Sequence, residues 1–187
     1  QKRKDWNGLI SGFKASDLVF LDESGCNTDM TRRYAYSLGG SRVVDSAPLS
    51  KPKNTTILSS IQLDGTLRYT TFSGGTTVER FKRYLETDLL PHLNGNSVLI
   101  MDDMKSHHAK AVRNLLDNSG VRYIYLPPYS PDLNPIEKLW SKVKSFLRKF
   151  KARTLDALPN AIQCAFQIVS PSDCSGWFHS CGYSPYF

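Results

Sequence analysis

The sequence is poor in the features that mark membrane, secreted and zinc-stapled proteins. No apolar stretch approaches the roughly 20 residues that a membrane span needs, and the basic N-terminal run QKRKDW lacks the apolar segment of a secretory signal. The four cysteines (Cys26, Cys164, Cys174, Cys181) include no C-x-x-C pair. That spacing argues against a zinc knuckle or disulfide framework and for reduced thiols. The four histidines (His92, His107, His108, His179) contain no H-x-x-x-H pair, and no G-x-x-x-x-G-K-[ST] loop occurs. A helix-borne zinc hydrolase and a P-loop nucleotidase are thereby set aside. Internal repeats and low-complexity segments are also missing, and a soluble, intracellular protein with no membrane partner is expected.

What is present fits one α/β domain: 187 residues, of which 40% are hydrophobic, suffice for a sizeable core. Twenty-four Lys and Arg against seventeen Asp and Glu give a formal charge of +7, which points to a polyanionic partner such as nucleic acid. Residues 1–16 are polar, basic and aperiodic, and read as a linker or arm; the domain is expected over 17–187.

Leu18-Val19-Phe20-Leu21 is a short, unbroken apolar run, the pattern of a strand buried on both faces, and it leads into Asp22-Glu23. Stretches 34–44, 55–63 and 67–72 are rich in β-branched and aromatic residues and read as antiparallel strands, with Asp64-Gly65 as a tight turn between the last two. Thr76-Thr77 can cap a helix running to about Leu90. Val98-Leu99-Ile100-Met101 repeats the first pattern and also ends in acid, Asp102-Asp103. A helix over 108–118 stopped by Gly120, a strand over 121–126, a proline-rich loop at 127–131 and further helices complete the chain.

Aspartates placed at the carboxyl ends of buried strands lie where open α/β sheets bind ligands. Asp22 and Asp102 share that position, and a third acid would complete an oxygen-donor set for a hard divalent cation. Each aspartate could equally begin a turn. In Asn134-Pro135-Ile136-Glu137, Asn134 can cap a helix and Glu137 falls where a capping-box acid would sit, which offers Glu137 a purely structural job. Beyond it, Leu139, Val143, Phe146 and Phe150 form the packing stripe, while Glu137, Ser141, Lys144 and Arg148 share another face.

Three blocks, VFLDESG at 19–25, LIMDDMKSH at 99–107 and LPPYSPDLNPIEKLW at 126–140, resemble the bacterial insertion-sequence branch of the mariner-like DDE transposases. The 34 residues between Asp102 and Glu137 agree with that family's register. TRRYAY at 31–36 and the surroundings of Gly182-Tyr183 extend the likeness over most of the chain. The resemblance implies a ribonuclease-H-like mixed sheet flanked by helices. It implies Asp22, Asp102 and Glu137 as catalytic residues and as ligands of two Mg²⁺ or Mn²⁺ ions, for cut-and-paste transposition by strand cleavage at transposon ends and strand transfer into target DNA at TA. Asp103 stands where the family commonly has asparagine, and alternation lets only one of the adjacent acids face the site, for which Asp102 is chosen.

Asp103 and His107 are auxiliary candidates, His107 for a scissile phosphate or a metal-bound water. Arg32, Arg33, Lys142, Lys144 and Arg148 are candidate phosphate contacts, each of which could also be a solvated charge. The implied partners are double-stranded DNA, further copies of the chain, and a helix-turn-helix region. The expected location is the cytoplasm, on the nucleoid. No helix-turn-helix segment and no initiator Met are seen, which leads to the expectation of a truncated chain or a separately encoded catalytic part. A ribonuclease-H-like nuclease that joins nothing, and a domesticated DNA-binding relative, are the rival readings.

Overall fold

The computed structural model describes residues 2–32, 34–46 and 53–183. Its centre is a mixed sheet of β1 (Leu18–Cys26), β2 (Thr55–Gln62), β3 (Leu67–Ser73), β4 (Val98–Met101) and β5 (Arg122–Tyr125), in the order β3-β2-β1-β4-β5. β1 pairs antiparallel with β2 and parallel with β4; β2–β3 is antiparallel and β4–β5 parallel. Helices α1 (Lys2–Ile10), α2 (Val78–Tyr84), α3 (Lys110–Ser119), α4 (Ile136–Phe150), α5 (Ala157–Gln167) and α6 (Pro171–Ser180) flank it. The α/β mixed sheet expected from the sequence is the architecture found.

Alternation along β1 and β4 divides the core in two. Leu18, Phe20, Val98 and Ile100 join the cluster with α4, α5 and α6, whereas Val19, Leu21, Leu99 and Met101 join Phe81, Leu85, Val112 and Leu116 under α2 and α3. Both faces of the central strands are therefore covered, which is why their sequences are continuous apolar runs. The β2–β3 hairpin turns where expected: Gly65 has φ 91°, and a Cβ there would come within 2.9 Å of the Pro171 backbone, so the turn needs glycine twice over. Gly120, at φ 72°, ends α3.

Three expectations are corrected. The stretch 34–44 is no strand: it holds a single 3₁₀ turn, Leu38–Gly40, and Tyr34, Tyr36, Leu38 and Val44 are 88%, 102%, 97% and 85% exposed. Its β-type composition does not make it a strand, because its large side chains have no surface to pack on, and strand propensity counts only where a half-buried neighbour is available. β1 does not stop at Asp22 but runs to Cys26, since β2 continues to pair with it after β4 has ended. On α4 the buried stripe is Ile136, Leu139, Trp140, Val143 and Leu147, while Phe150, at the last turn of the helix, is 45% exposed.

The segment 1–16, read as an arm, contains α1, and Trp6 is buried with the core. Its Nε1 donates to Tyr183 Oη at 3.2 Å, and that hydroxyl donates in turn to the Leu133 carbonyl at 2.7 Å. A single buried aromatic gives no periodicity, so nothing in the sequence announced the contact.

Candidate active site

Asp22 and Asp102 are brought together by strand register. The parallel pairing of β1 with β4 ends at Leu21↔Met101, so the next residue of each chain is an aspartate. By alternation both share the face of Phe20 and Ile100, toward α4. Glu137, in the first turn of α4, comes to the same place from above the sheet. Asp22, Asp102, Asp103 and Glu137 line one cleft of about 450 Å³, closed on its other side by the loop from Leu126 to Pro131 and by Asn134.

Asp22 is 8% exposed. Its Oδ2 accepts a hydrogen bond from Trp140 Nε1 at 3.0 Å. Burial pushes its pKa up to about 7; the hydrogen bonds from the Glu23 backbone and Trp140 oppose this, and the charges of Asp102 and Glu137 add to it. Trp140 was missed as a site residue, although it stands one helical turn after Glu137. A buried indole N–H demands an acceptor, but which acceptor is decided only by packing.

Glu137 is exposed to the cleft. No side-chain cap bond forms at the start of α4, where Pro135 occupies the cap position in helical conformation. The capping-box role that could have explained Glu137 is thus not realised; its backbone N–H simply donates to the Asn134 carbonyl at 3.1 Å.

The auxiliary candidates part company. His107 is fully buried, its ring stacked on Phe81 at 4.3 Å, with Nδ1 2.8 Å from Asp102 Oδ1 and 3.1 Å from the Asp102 carbonyl. Burial lowers its pKa, but the hydrogen bonds to Asp102 outweigh that and the net direction is upward. A ring without exposure does not reach a phosphate; it holds Asp102 from behind. Asp103 is half-exposed on the cleft wall and is paired with His108 Nε2 at 2.5 Å.

Of the basic candidates, Arg32 and Arg148 meet at a second groove with Tyr34, Ser145 and Lys149. Lys144 lies near Cys26, where its charge opposes the burial that raises the thiol to about 11. Lys142 is committed elsewhere, with Nζ 2.5 Å from Asp173 Oδ2. Arg33 lies outside the described residues. Lys138 and Lys149, on the groove between α4 and α6, were not singled out from the sequence.

Among the described residues no group of three or more His, Cys, Asp or Glu side chains is arranged so that it could hold a metal ion by itself. The acids instead stand around an open cleft, the arrangement in which one or two carboxylates hold Mg²⁺ together with waters and substrate phosphates. The donors are all hard oxygens, and Asp22 is held toward its neutral form by burial and two neighbouring acids with no cation beside it. Those features fit a divalent metal.

A mixed five-stranded sheet in this order, with acids at the β1–β4 junction and on the helix crossing it, defines a ribonuclease-H-like α/β protein with a carboxylate site. The model of the DDE superfamily endonuclease family matches residues 17–159. The chain belongs to that family. It is similar to the Transposable element Tc1 transposase of Caenorhabditis elegans, 28% identical over 97 residues, covering 50% of this chain and 36% of that one. Its fold matches the pre-cleavage Mos1 transpososome at TM-score 0.81 and 18% identity, over 95% of this chain and 57% of that one. It also matches the Mos1 mariner paired end complex with Mn at TM-score 0.71 and 18% identity, over 94% and 54%. The chain thus spans well under two thirds of these relatives.

Proposed function

We propose that this chain is the catalytic part of a cut-and-paste DNA transposase of the bacterial insertion-sequence branch, which cleaves strands at transposon ends and joins the freed 3′-ends to target DNA at TA. The observation that carries the reading is the convergence of Asp22, Asp102 and Glu137 on one cleft, from two strands and a helix. Tc1 and the Mos1 complex described with Mn support it.

Asp22, Asp102 and Glu137 would hold two Mg²⁺ or Mn²⁺ ions. Bound cations of this kind supply Lewis acidity toward a phosphodiester and its attacking oxygen. The chain's own residues provide the geometry. Trp140 fixes one oxygen of Asp22, His107 backs Asp102, and Glu137 remains free to close on whatever enters the cleft. Burial pushes the Asp22 carboxyl up to about 7, and a cation held there would favour its ionised form. In the strand-joining step the 3′-oxygen attacks phosphorus, one P–O bond forms and one breaks, and no covalent enzyme–DNA intermediate is needed.

Arg32, Lys144 and Arg148 are proposed as phosphate contacts. Assembly with further copies on DNA, a helix-turn-helix region in the same or a separate chain, and a nucleoid location belong to the same reading. It is tested with Asp102→Asn. Metal-dependent cleavage and joining of pre-cut ends should fall by several orders of magnitude while the fold is kept. Unchanged cleavage refutes the site, and cleavage without joining in the parent protein moves the assignment to a nuclease.

A further inference from the structure

The loop from Leu126 to Pro131 presents one side chain for which the fold has no use. Tyr129 is 99% exposed, on the wall of the acidic cleft. Its backbone is left-handed, φ 55°, a conformation that disfavours any residue with a Cβ. Among the described residues only Lys151 shares this outside glycine, and there it performs the ordinary task of ending a helix. A turn with proline followed by a left-handed residue, as at Pro128-Tyr129, ordinarily takes Gly or Asn at the second place. Here a large aromatic stands there and gains no packing in return.

The loop that imposes the conformation is held at both ends. Leu126 N–H donates to the Met101 carbonyl at 2.8 Å, and the Leu133 carbonyl accepts from Tyr183 Oη at 2.7 Å. Between them Pro127, Pro128 and Pro131 fix three φ angles. Ser130, 6% exposed, is buried beneath the tip, and its Oγ donates to the Pro128 carbonyl at 3.3 Å. A rigid support of this kind loses little entropy when its exposed ring is covered.

The geometry points to Tyr129 as a nucleobase platform: its ring stacks on a base beside the phosphodiester held at Asp22, Asp102 and Glu137. This rests on the DNA reading above. A cleft walled by carboxylates repels phosphate unless cations intervene, and stacking adds affinity that does not depend on charge or on base identity. An unstacked base next to the scissile bond is the ligand such a ring fits, since bases within a duplex offer no free face.

The test uses the whole chain and a short duplex ending in a single-stranded 3′ overhang, with 2-aminopurine at the junction and Ca²⁺ present. Binding by the parent protein should quench the 2-aminopurine emission. Tyr129→Phe and Tyr129→Trp should keep the quenching. Tyr129→Ala should abolish it and weaken binding by on the order of ten-fold or more. Tyr129→Gly should lose it too while melting no lower than the parent, which excludes misfolding as the cause. If the parent binds and quenches but Tyr129→Ala does the same, the platform is refuted and the DNA reading stands. If the parent binds no DNA and Asp102→Asn behaves like it in cleavage, the DNA reading itself fails.

Discussion

Asp22 shows what burying a carboxyl at the cleft costs the fold. A carboxyl whose pKa is raised to about 7 in the folded state binds a proton that the unfolded chain, with an ordinary value of 3.8, has already released. Stability is therefore lost as pH climbs from about 4 to about 7, and the loss, on the order of a few kcal/mol, persists above that. Asp22→Asn removes the titration and leaves an amide oxygen for Trp140 Nε1. Without divalent metal at pH 8 this variant should melt higher than the parent, by on the order of 5 °C, and the two should converge near pH 4. Mn²⁺ should then raise the parent's melting temperature and not the variant's. Differential scanning fluorimetry at the two pH values decides it: an Asn variant that melts lower at pH 8 refutes the account of the buried acid.

At the scale of elements, α6 is tied down by one carboxylate that serves two partners. Asp173 completes a capping box with Ser170, its Oδ2 accepting from the Ser170 N–H at 2.8 Å, and it also accepts from Lys142 Nζ at 2.5 Å, joining α6 to α4. The Lys142 hydrogen bond and then the Ser170 backbone hold its pKa down at about 2. A depressed carboxylate contributes stability that is present above its unfolded value near 4 and is lost as pH falls through 2. Asp173→Asn should cost about 1 kcal/mol at pH 7, a melting shift of roughly 2–4 °C, and the gap should close as both proteins are taken toward pH 2. Thermal melts by circular dichroism across that range check it. A gap independent of pH would mean that Asp173 acts by packing and not by charge.

For the molecule as a whole, charge is unevenly placed. The net +7 coexists with an acidic cleft, so the basic residues lie outside it. Arg32 and Arg148 line one groove, whereas Lys142 is paired with Asp173. DNA affinity should fall linearly with salt on logarithmic axes. Removing Arg32 and Arg148 together should reduce that slope by about 2, while Lys142→Ala leaves it nearly unchanged. Fluorescence anisotropy titrations over a salt series make the comparison; equal effects from all three would show that the ion pair with Asp173 opens on binding.

The sequence by itself determined the layers, and it singled out three acids that the fold brings to the wall of one cleft. Four-residue apolar runs ending in aspartate read as strands buried on both faces, and the helical period after Glu137 announces a helix packed on the core, although which of its residues form the buried stripe was settled by packing. Local patterns of this kind act over a few residues, and a few residues are enough to see them. What tertiary structure alone decided depends on partners far away in the chain. The stretch 34–44 has strand composition, but its large side chains remain exposed with no surface of the sheet to pack on. Trp140 found Asp22 across 118 positions, and Trp6 found Tyr183 across 177. His107, a candidate for a phosphate or a metal-bound water, lies behind Asp102 because Phe81 of α2 covers its ring. Hydrogen bonds and stacking of this kind are chosen by which surfaces meet, and that is settled only when the chain has closed around its core.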